Sequence, residues 1–338
     1  MLYEPSDNVT PQAPQERRRQ KSGGGRGHRR ERRVKTDREE VFDALRKNGH
    51  DPFFHELKDV KALLDLGKTQ ADLIFNLTEA FAGDDAKEPH VAAFLDLLGL
   101  RYTGAGPHAL FLAQDKALAK KIFTFHGILT PNFASSYRGR IDHMDDLHFP
   151  LIVKPGSEDG SVGIDVGSVV KSVKELMERV ALIQQQFDSP ALIEEFIEGR
   201  EIYVGVLGHE KAEALPPVEL DLSKLPKGMP RIAGKEVKWE KGTEAYDLTR
   251  SAVARDLSDE LRKRIQEIAL ATYEALGLRD YGRVDLRVTP KGEIFVIEAN
   301  PNPWLAPEAE LAIAAADAGR DYPRLIGEIV DRALARYA

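Results

Sequence analysis

A chain of 338 residues is, at roughly 150 residues per domain, long enough for two or three domains and a sizeable core. Its 42% hydrophobic and 30% charged content excludes a collagen-like, wholly disordered or coiled-coil chain, and the absence of cysteine excludes disulfides, thiolate metal sites and a cysteine nucleophile. The net charge of -7 is unevenly placed: residues 17–35 hold ten Lys or Arg and one Glu, leaving 38 basic and 54 acidic residues elsewhere. For this basic segment three readings stand: a nucleic-acid arm, a loop that draws in an anionic substrate, and a solvated loop. No aromatic residue interleaves it, which disfavours nucleic acid. The start MLYEPSDN lacks the basic and apolar regions of a signal peptide, and no apolar run approaches the ~20 residues that span a bilayer. The expected location is the cytoplasm, with no membrane partner.

In chain order, Met1–Tyr3 reads as a short parallel strand that feeds the basic segment. DREEVFDALRKNGHD reads as an amphipathic helix carrying Val41 and Leu45 and stopped at Gly49. ADLIFNL reads as a buried strand, and EPHVAAFLDLLGL as a helix ended by Gly99. This is an open α/β unit, whose ligand edge lies at the carboxyl ends of its strands. DKALAKKIFTFHGI predicts a helix stopped at Gly127. FPLIVKPG, SVGIDVGSV and ALIEEFIEGREIYVGVLG then read as short strands of a more β-rich domain. Residues 221–250 are polar and predict a long functional loop or hairpin. Ser258 caps a helix that Gly277 ends, GRVDLRV and EIFVIEAN flank the turn TPKG as a hairpin, and two helical stretches close the chain.

The hairpin carries the clearest chemistry. Residues two apart on a strand share a face; with Pro290–Glu293 as the loop, Asp285 lies opposite Glu298 and Arg283 opposite Asn300. Opposed carboxylates repel, and a divalent cation resolves the conflict, since two carboxylates and an amide oxygen form a set suited to magnesium. The alternative is an exposed face whose acids point to water. In FPLIVKPGSEDGSVGI a strand delivers Lys154, and Gly156, Gly160, Ser161 and Gly163 form a loop able to cradle phosphate through its amides. It is not a Walker A motif. ALIEEFIEGREIYV places Glu194, Phe196 and Ile197 at a strand exit with Glu201 beyond, suited to an adenine edge and a ribose, or else merely a surface acid cluster.

Taken together, FNLTEAF, LGLRYTGAG, QDKALAKK, VKPGSEDGSVGI, EEFIEGRE, VKWE, YGRVDLRV and IEANPNP resemble the ATP-grasp superfamily, within it the D-alanine-D-alanine ligase-like proteins, from about residue 70 onward. The resemblance implies an α/β and α+β chain of ATP-grasp architecture: an N-terminal open α/β domain (1–103), then central (104–193) and C-terminal (194–338) α+β domains that clamp ATP. By this likeness Lys116, Lys154 and Lys238 contact phosphates under the 156–163 loop, which includes Gly160 and Ser161. Glu194, Phe196 and Ile197 hold the adenine side and Glu201 the ribose. Asp285, Glu298 and Asn300 hold two magnesium ions, for which manganese can substitute, and Arg283 steadies an oxyanion. A homodimer is common in the family.

The implied chemistry is phosphoryl transfer to a substrate carboxylate, followed by attack of an amine on the acyl phosphate, giving an amide or peptide bond, ADP and phosphate. Three readings compete with it: D-alanine-D-alanine ligase itself, a kinase that releases its acyl phosphate, and a non-catalytic nucleotide- or nucleic-acid-binding protein. Departures from the family cluster where substrate is chosen. Gly160 stands for the first of two serines, leaving Ser161; Trp239 stands for a tyrosine, Trp304 for a glycine, and Ala309 for the serine of a Ser-Leu pair that receives the second substrate's carboxylate. The N-terminal Gly-Gly and glutamate motif has no counterpart in the basic segment. The expected substrates are therefore a small carboxylate and an amine, amino acids or a peptide included, other than two D-alanines. His90, His108, His126 and His143 show no metal-ligand spacing.

Overall fold

The computed structural model describes residues 1–4, 35–137, 140–142, 147–158, 160–187, 189–238, 240 and 242–338. The basic segment up to residue 34, His143 and Trp239 lie outside the described residues.

The N-terminal part is an open parallel arrangement. β1 (Leu2–Tyr3) pairs in parallel with β2 (His55–Glu56) after α1 (Asp37–Lys47), whose buried side is Val41, Ala44 and Leu45. The expected strand ADLIFNL is reduced to isolated parallel bridges, Leu2 with Asn76 and Ile74 with Tyr102. Its backbone groups are nevertheless paired on both sides: Leu2 N donates to the Phe75 carbonyl and Thr103 N to that of Ile74. α2 (Val60–Asp65), α3 (Glu88–Leu97), α4 (Pro107–Gln114) and α5 (Lys116–Phe125) complete this part. Asp115 caps α5 by accepting from Leu118 N, which fixes Lys116 at the start of that helix.

Next comes a five-stranded sheet, in the order β4 (Arg140–Asp142), β3 (Phe133–Tyr137), β7 (Ala191–Glu195), β5 (Leu151–Pro155), β6 (Val169–Val170). The expected strand SVGIDVGSV is instead a turn, a 3-10 segment Val166–Ser168 and the first residue of β6, because Gly160, Ser161 and Gly163 all take positive φ and bend the chain. The helix α6 (Val173–Phe187) was not expected; its Leu176, Arg179, Val180 and Ile183 recur at helical spacing and cover the sheet, with Val153, Ile193 and Ala191 beneath.

The chain changes sheet between Glu195 and Arg200. The second sheet runs β11 (Ser251–Val253), β10 (Val218–Leu220), β8 (Arg200–Leu207), β12 (Tyr281–Val288), β13 (Ile294–Asn300), with β9 (Glu213–Ala214) beside β8. Residues 221–250 carry two short helices, α7 (Lys235–Lys238) and α8 (Glu244–Leu248), rather than a hairpin. α9 (Asp259–Ala275), capped by Ser258, covers the apolar face of this sheet, where Ile202, Val204, Val284 and Leu286 share one core with Leu2, Ile74 and Tyr102. α10 (Glu310–Asp317) and α11 (Tyr322–Arg336) close the chain, α11 packing its Ile326 and Ile329 toward Val41 and Leu45 of α1.

One irregularity of the hairpin decides where the site lies. Near the turn Val288 pairs with Ile294, so the loop is Thr289–Glu293, one residue longer than expected, yet Asp285 still pairs with Glu298 and Arg283 with Asn300. A bulge beyond Leu286 and Val296 offsets the longer loop. Since side chains alternate along a strand, Ile294 and Val296 face the core, and without the bulge Glu298 would follow them. The bulge turns Ala299 to the core instead, and Glu298 and Asn300 to the face shared by Arg283 and Asp285.

Candidate active site

The polar face of the second sheet assembles the carboxylate pair and its cations. Asp285 is 3% exposed, which excludes the reading of an acid face open to water. The like-charge conflict is met by protein cations: Arg283 donates from Nε to Asp285 Oδ1 at 2.7 Å and from Nη2 to Oδ2 at 2.9 Å, and Lys116 Nζ lies 3.2 Å from Glu298 Oε2. Arg283 and Lys116 thus offset part of the repulsion between the two carboxylates, beside any cation they would hold. Burial raises the Asp285 carboxyl above its ordinary range despite Arg283, with Glu298 adding to the rise. Burial would raise Glu298 too, but Lys116, Lys154, Lys238 and Arg283 outweigh it and hold that carboxyl well below the usual range.

The donor set of Asp285, Glu298 and Asn300 is all-oxygen, as a hard divalent cation requires. Asn300 Nδ2 is buried with no hydrogen-bond partner among the described residues, so no protein acceptor fixes how this amide is turned, and its oxygen can be presented to a cation. The oxygen chemistry of the three residues fits magnesium.

A second ionic cluster sits where the first sheet meets α5. Glu194 lies within β7 and is buried, with Lys154 Nζ 2.5 Å from Oε2 and Lys120 paired to Oε1. Its carboxylate thus lies between two lysines, which excludes a surface acid cluster. Buried Lys120 was missed in the sequence, although it falls one helical turn beyond Lys116. It also donates to Thr130 Oγ1 at 2.8 Å.

The glycine-rich loop reaches the opposite wall. Gly160 and Ser161 follow one another with φ of 63° and 65°, and Ser161 Oγ donates to the Ala233 carbonyl at 2.8 Å. Lys235 N donates to the Ile164 carbonyl at 3.0 Å, so this loop and the segment that carries Lys238 are joined. The tip of Lys238 lies 5.7 Å from the centre of the Tyr203 ring, and the Arg283 guanidinium 5.1 Å from it. Tyr203 was also missed. It stands opposite Asp285 on β8, and its buried hydroxyl has no hydrogen-bond partner among the described residues.

At the far end, Phe196 and Ile197 lie in the connection between the sheets. Glu201 at the start of β8 is paired with Arg287 at 2.5 Å, a partner that sequence reasoning did not supply. At the other end Glu310, the first residue of α10, lies 3.4 Å from Arg283 Nη1 and accepts from Ser251 Oγ at 3.0 Å. Trp304 Nε1 donates to Asp37 Oδ2 at 3.1 Å over a recess lined by Leu77, Glu79 and Asn302. The structure thus collects Lys116, Lys154, Glu194, Lys238, Arg283, Asp285, Glu298 and Asn300 by direct pairing or mutual electrostatic influence.

Comparison with known proteins points to one family. The family model described as D-ala D-ala ligase C-terminus matches residues 122–331. A D-alanine–D-alanine ligase of Aquifex aeolicus is 35% identical over 309 residues, covering 91% of this chain and 97% of that protein. An uncharacterized protein of Sinorhizobium fredii is 36% identical over 266 residues, 78% of this chain and 75% of that one. The crystal structure of the Bacillus anthracis D-alanine–D-alanine ligase complexed with ATP superposes with a TM-score of 0.71 at 25% identity, over 88% of this chain and 90% of that one. Among the described residues no helix is long and apolar enough to cross a membrane. With a family model matching more than half of its length and a relative aligned nearly end to end, the chain belongs to the D-alanine–D-alanine ligase family of ATP-grasp enzymes, ATP-dependent ligases that form a C–N bond and release ADP and phosphate.

Proposed function

We propose that this ligase joins a small carboxylate to an amine through an acyl phosphate, and that its substrates are not two D-alanines. The observation that carries the substrate reading is Glu310. Its carboxylate, 3.4 Å from Arg283, occupies the position after Ala309, where the resembled family has the Ser-Leu pair that receives a carboxylate. A second substrate with a carboxylate there would meet like charge and lose the serine hydroxyl. The indole of Trp304 at a family glycine position narrows the same end.

In this reading the three domains divide at 1–103, 104–193 and 194–338; the change of sheet just after Glu195 supports the second boundary, shifted two residues so that β7 stays whole. ATP lies between the two sheets, with Ile197 and Phe196 at the base, Glu201 at the ribose, and Lys116, Lys154 and Lys238 around the phosphates beneath Gly160 and Ser161. Magnesium held by Asp285, Glu298 and Asn300 would neutralise charge on the transferring group. The substrate carboxylate oxygen bonds to the γ-phosphorus as the bond to ADP breaks. Lysines fixed before the reaction supply charge stabilisation without reorganising. The amine nitrogen then bonds to the activated carbonyl carbon. Arg283 steadies the oxygen that gains charge, phosphate departs with the C–O electron pair, and the nitrogen loses its proton.

The Aquifex relative supports a second reading, D-alanine–D-alanine ligase, because its similarity spans 97% of that enzyme. Phosphate release from magnesium-ATP, screened over single amino acids and then over acid and amine pairs, separates the two. Release that requires a pair, with an amide product found by mass, supports the proposal and names the substrates; release with D-alanine alone supports the second reading and overturns the first.

A further inference from the structure

We propose that Arg287 is a positioning residue for the nucleotide, locking the ribose carboxylate, the inter-sheet connection and the lysine-bearing segment into one arrangement; this rests on the reading of the cleft as the ATP site. Alternation along β12 places Arg287 on the face of Arg283 and Asp285, opposite Glu201 of β8. Both partners are buried, at 5% and 7% exposure. Arg287 Nε lies 2.5 Å from Glu201 Oε2. Nη2 donates to the Arg231 carbonyl at 2.6 Å, and Nη1 to the carbonyls of Gly199 at 3.3 Å and Ile197 at 3.5 Å. Its guanidinium carbon is 5.7 Å from the centre of the Phe196 ring. The planar fork of donors is what allows a single side chain to hold a carboxylate and three carbonyls, a task a lysine could not complete.

The tether extends further along the chain. Arg231 Nη1 donates to the Leu222 carbonyl at 2.6 Å, so two arginines in series run from the connection to the segment that leads through Ala233 to Lys238. The connection itself depends on Gly199, since a Cβ there would lie 2.3 Å from the Val288 carbonyl oxygen. That close crossing brings the Gly199 carbonyl within reach of Arg287. Removing the guanidinium would leave Glu201 buried without its cation and release the Arg231 carbonyl together with it.

The test compares wild type, R287K, R287M and the doubly neutral E201Q/R287M in the full chain. ADP affinity is measured by calorimetry, KM and kcat from phosphate release, and folding by circular dichroism. Losing charge-assisted hydrogen bonds of this kind lowers affinity by about 10- to 100-fold. R287M is expected to weaken ADP and raise the KM for ATP in that range with a much smaller change in kcat, and R287K to fall between it and wild type. Because Arg287 acts through Glu201, the double variant should bind ADP no more weakly than R287M; it also keeps the pair neutral should R287M fail to fold. Folded R287K or E201Q/R287M with wild-type ADP affinity overturns the proposal. Wild type that binds neither ADP nor ATP overturns the nucleotide reading, and the role of Arg287 with it.

Discussion

Arg283 and Asp285, two positions apart on β12, are joined by two hydrogen bonds of 2.7 and 2.9 Å, so the residue that would steady the oxyanion also holds the carboxylate that would take the metal. Arg283 also lies 3.4 Å from a second carboxylate, Glu310, which would remain its partner were Asp285 to turn to a cation. Asp285→Asn and Glu298→Gln are therefore expected to fold, because each retains the shape of the side chain and Arg283 retains a partner. Turnover should fall at least about 100-fold, the scale on which preorganised charge acts. Circular dichroism and magnesium-dependent phosphate release check both halves. Full turnover in either variant would falsify the metal assignment.

The substrate reading predicts a gain as well as a loss. Ala309→Ser combined with Glu310→Leu restores the family's pair and removes the carboxylate that faces Arg283. The double variant should release phosphate with D-alanine faster than wild type by about tenfold or more, since removing a like charge from a partly buried site is worth about 1.4 kcal/mol. A variant that binds ATP but shows no gain with D-alanine places the discrimination elsewhere, with Trp304 the next residue to exchange.

Much of this site was legible because strand alternation and residue type act locally. Arg283, Asp285, Glu298 and Asn300 could be placed from the hairpin alone, although the right register arose from a longer loop offset by a bulge. A bulge leaves no mark in composition, so that compensation could not be read. Glu201 and Glu194 were visible as acids, but their partners Arg287 and Lys120 arrive from other elements, and which cations meet them is a question of tertiary packing. The strand expected over SVGIDVGSV failed because the positive-φ residues Gly160, Ser161 and Gly163 at its start overrule β-branched propensity. α6 was overlooked although its apolar positions recur at helical spacing.

Arg179 ties the far side of the glycine-rich loop to α6. It is 8% exposed, donates to both oxygens of Asp165 at 3.0 and 3.1 Å, to Ser168 Oγ at 2.7 Å and to the Gly163 carbonyl at 2.6 Å. Gly163 itself admits no side chain, since a Cβ would lie 2.6 Å from Pro155 Cγ. Arg179→Met strips four hydrogen bonds from the loop's return and should cost roughly 2–4 kcal/mol in denaturant unfolding. It should also raise the KM for ATP. Unchanged stability with unchanged KM would show that the loop is set by its glycines without the arginine.

Lys120 offers a test by pH. Its ammonium is fully buried against Glu194 and Thr130, and burial, which outweighs the attraction of Glu194, lowers it from 10.5 to about 8. In the unfolded chain the group keeps its proton up to about pH 10.4. Between these values the unfolded state binds the proton that the folded state has shed, so unfolding free energy rises with pH across that window. The contribution is complete above the unfolded value and is lost as pH falls through 8. For a shift of this size it is on the order of 3 kcal/mol. Lys120→Met abolishes the titration, so the stability of wild type relative to the variant should climb by that amount from pH 8 to 10.5 and stay flat from pH 6 to 7. Urea unfolding of both proteins at matched ionic strength measures the difference. Parallel curves through the whole range would mean that Lys120 titrates as it does in water, the attraction of Glu194 fully offsetting burial.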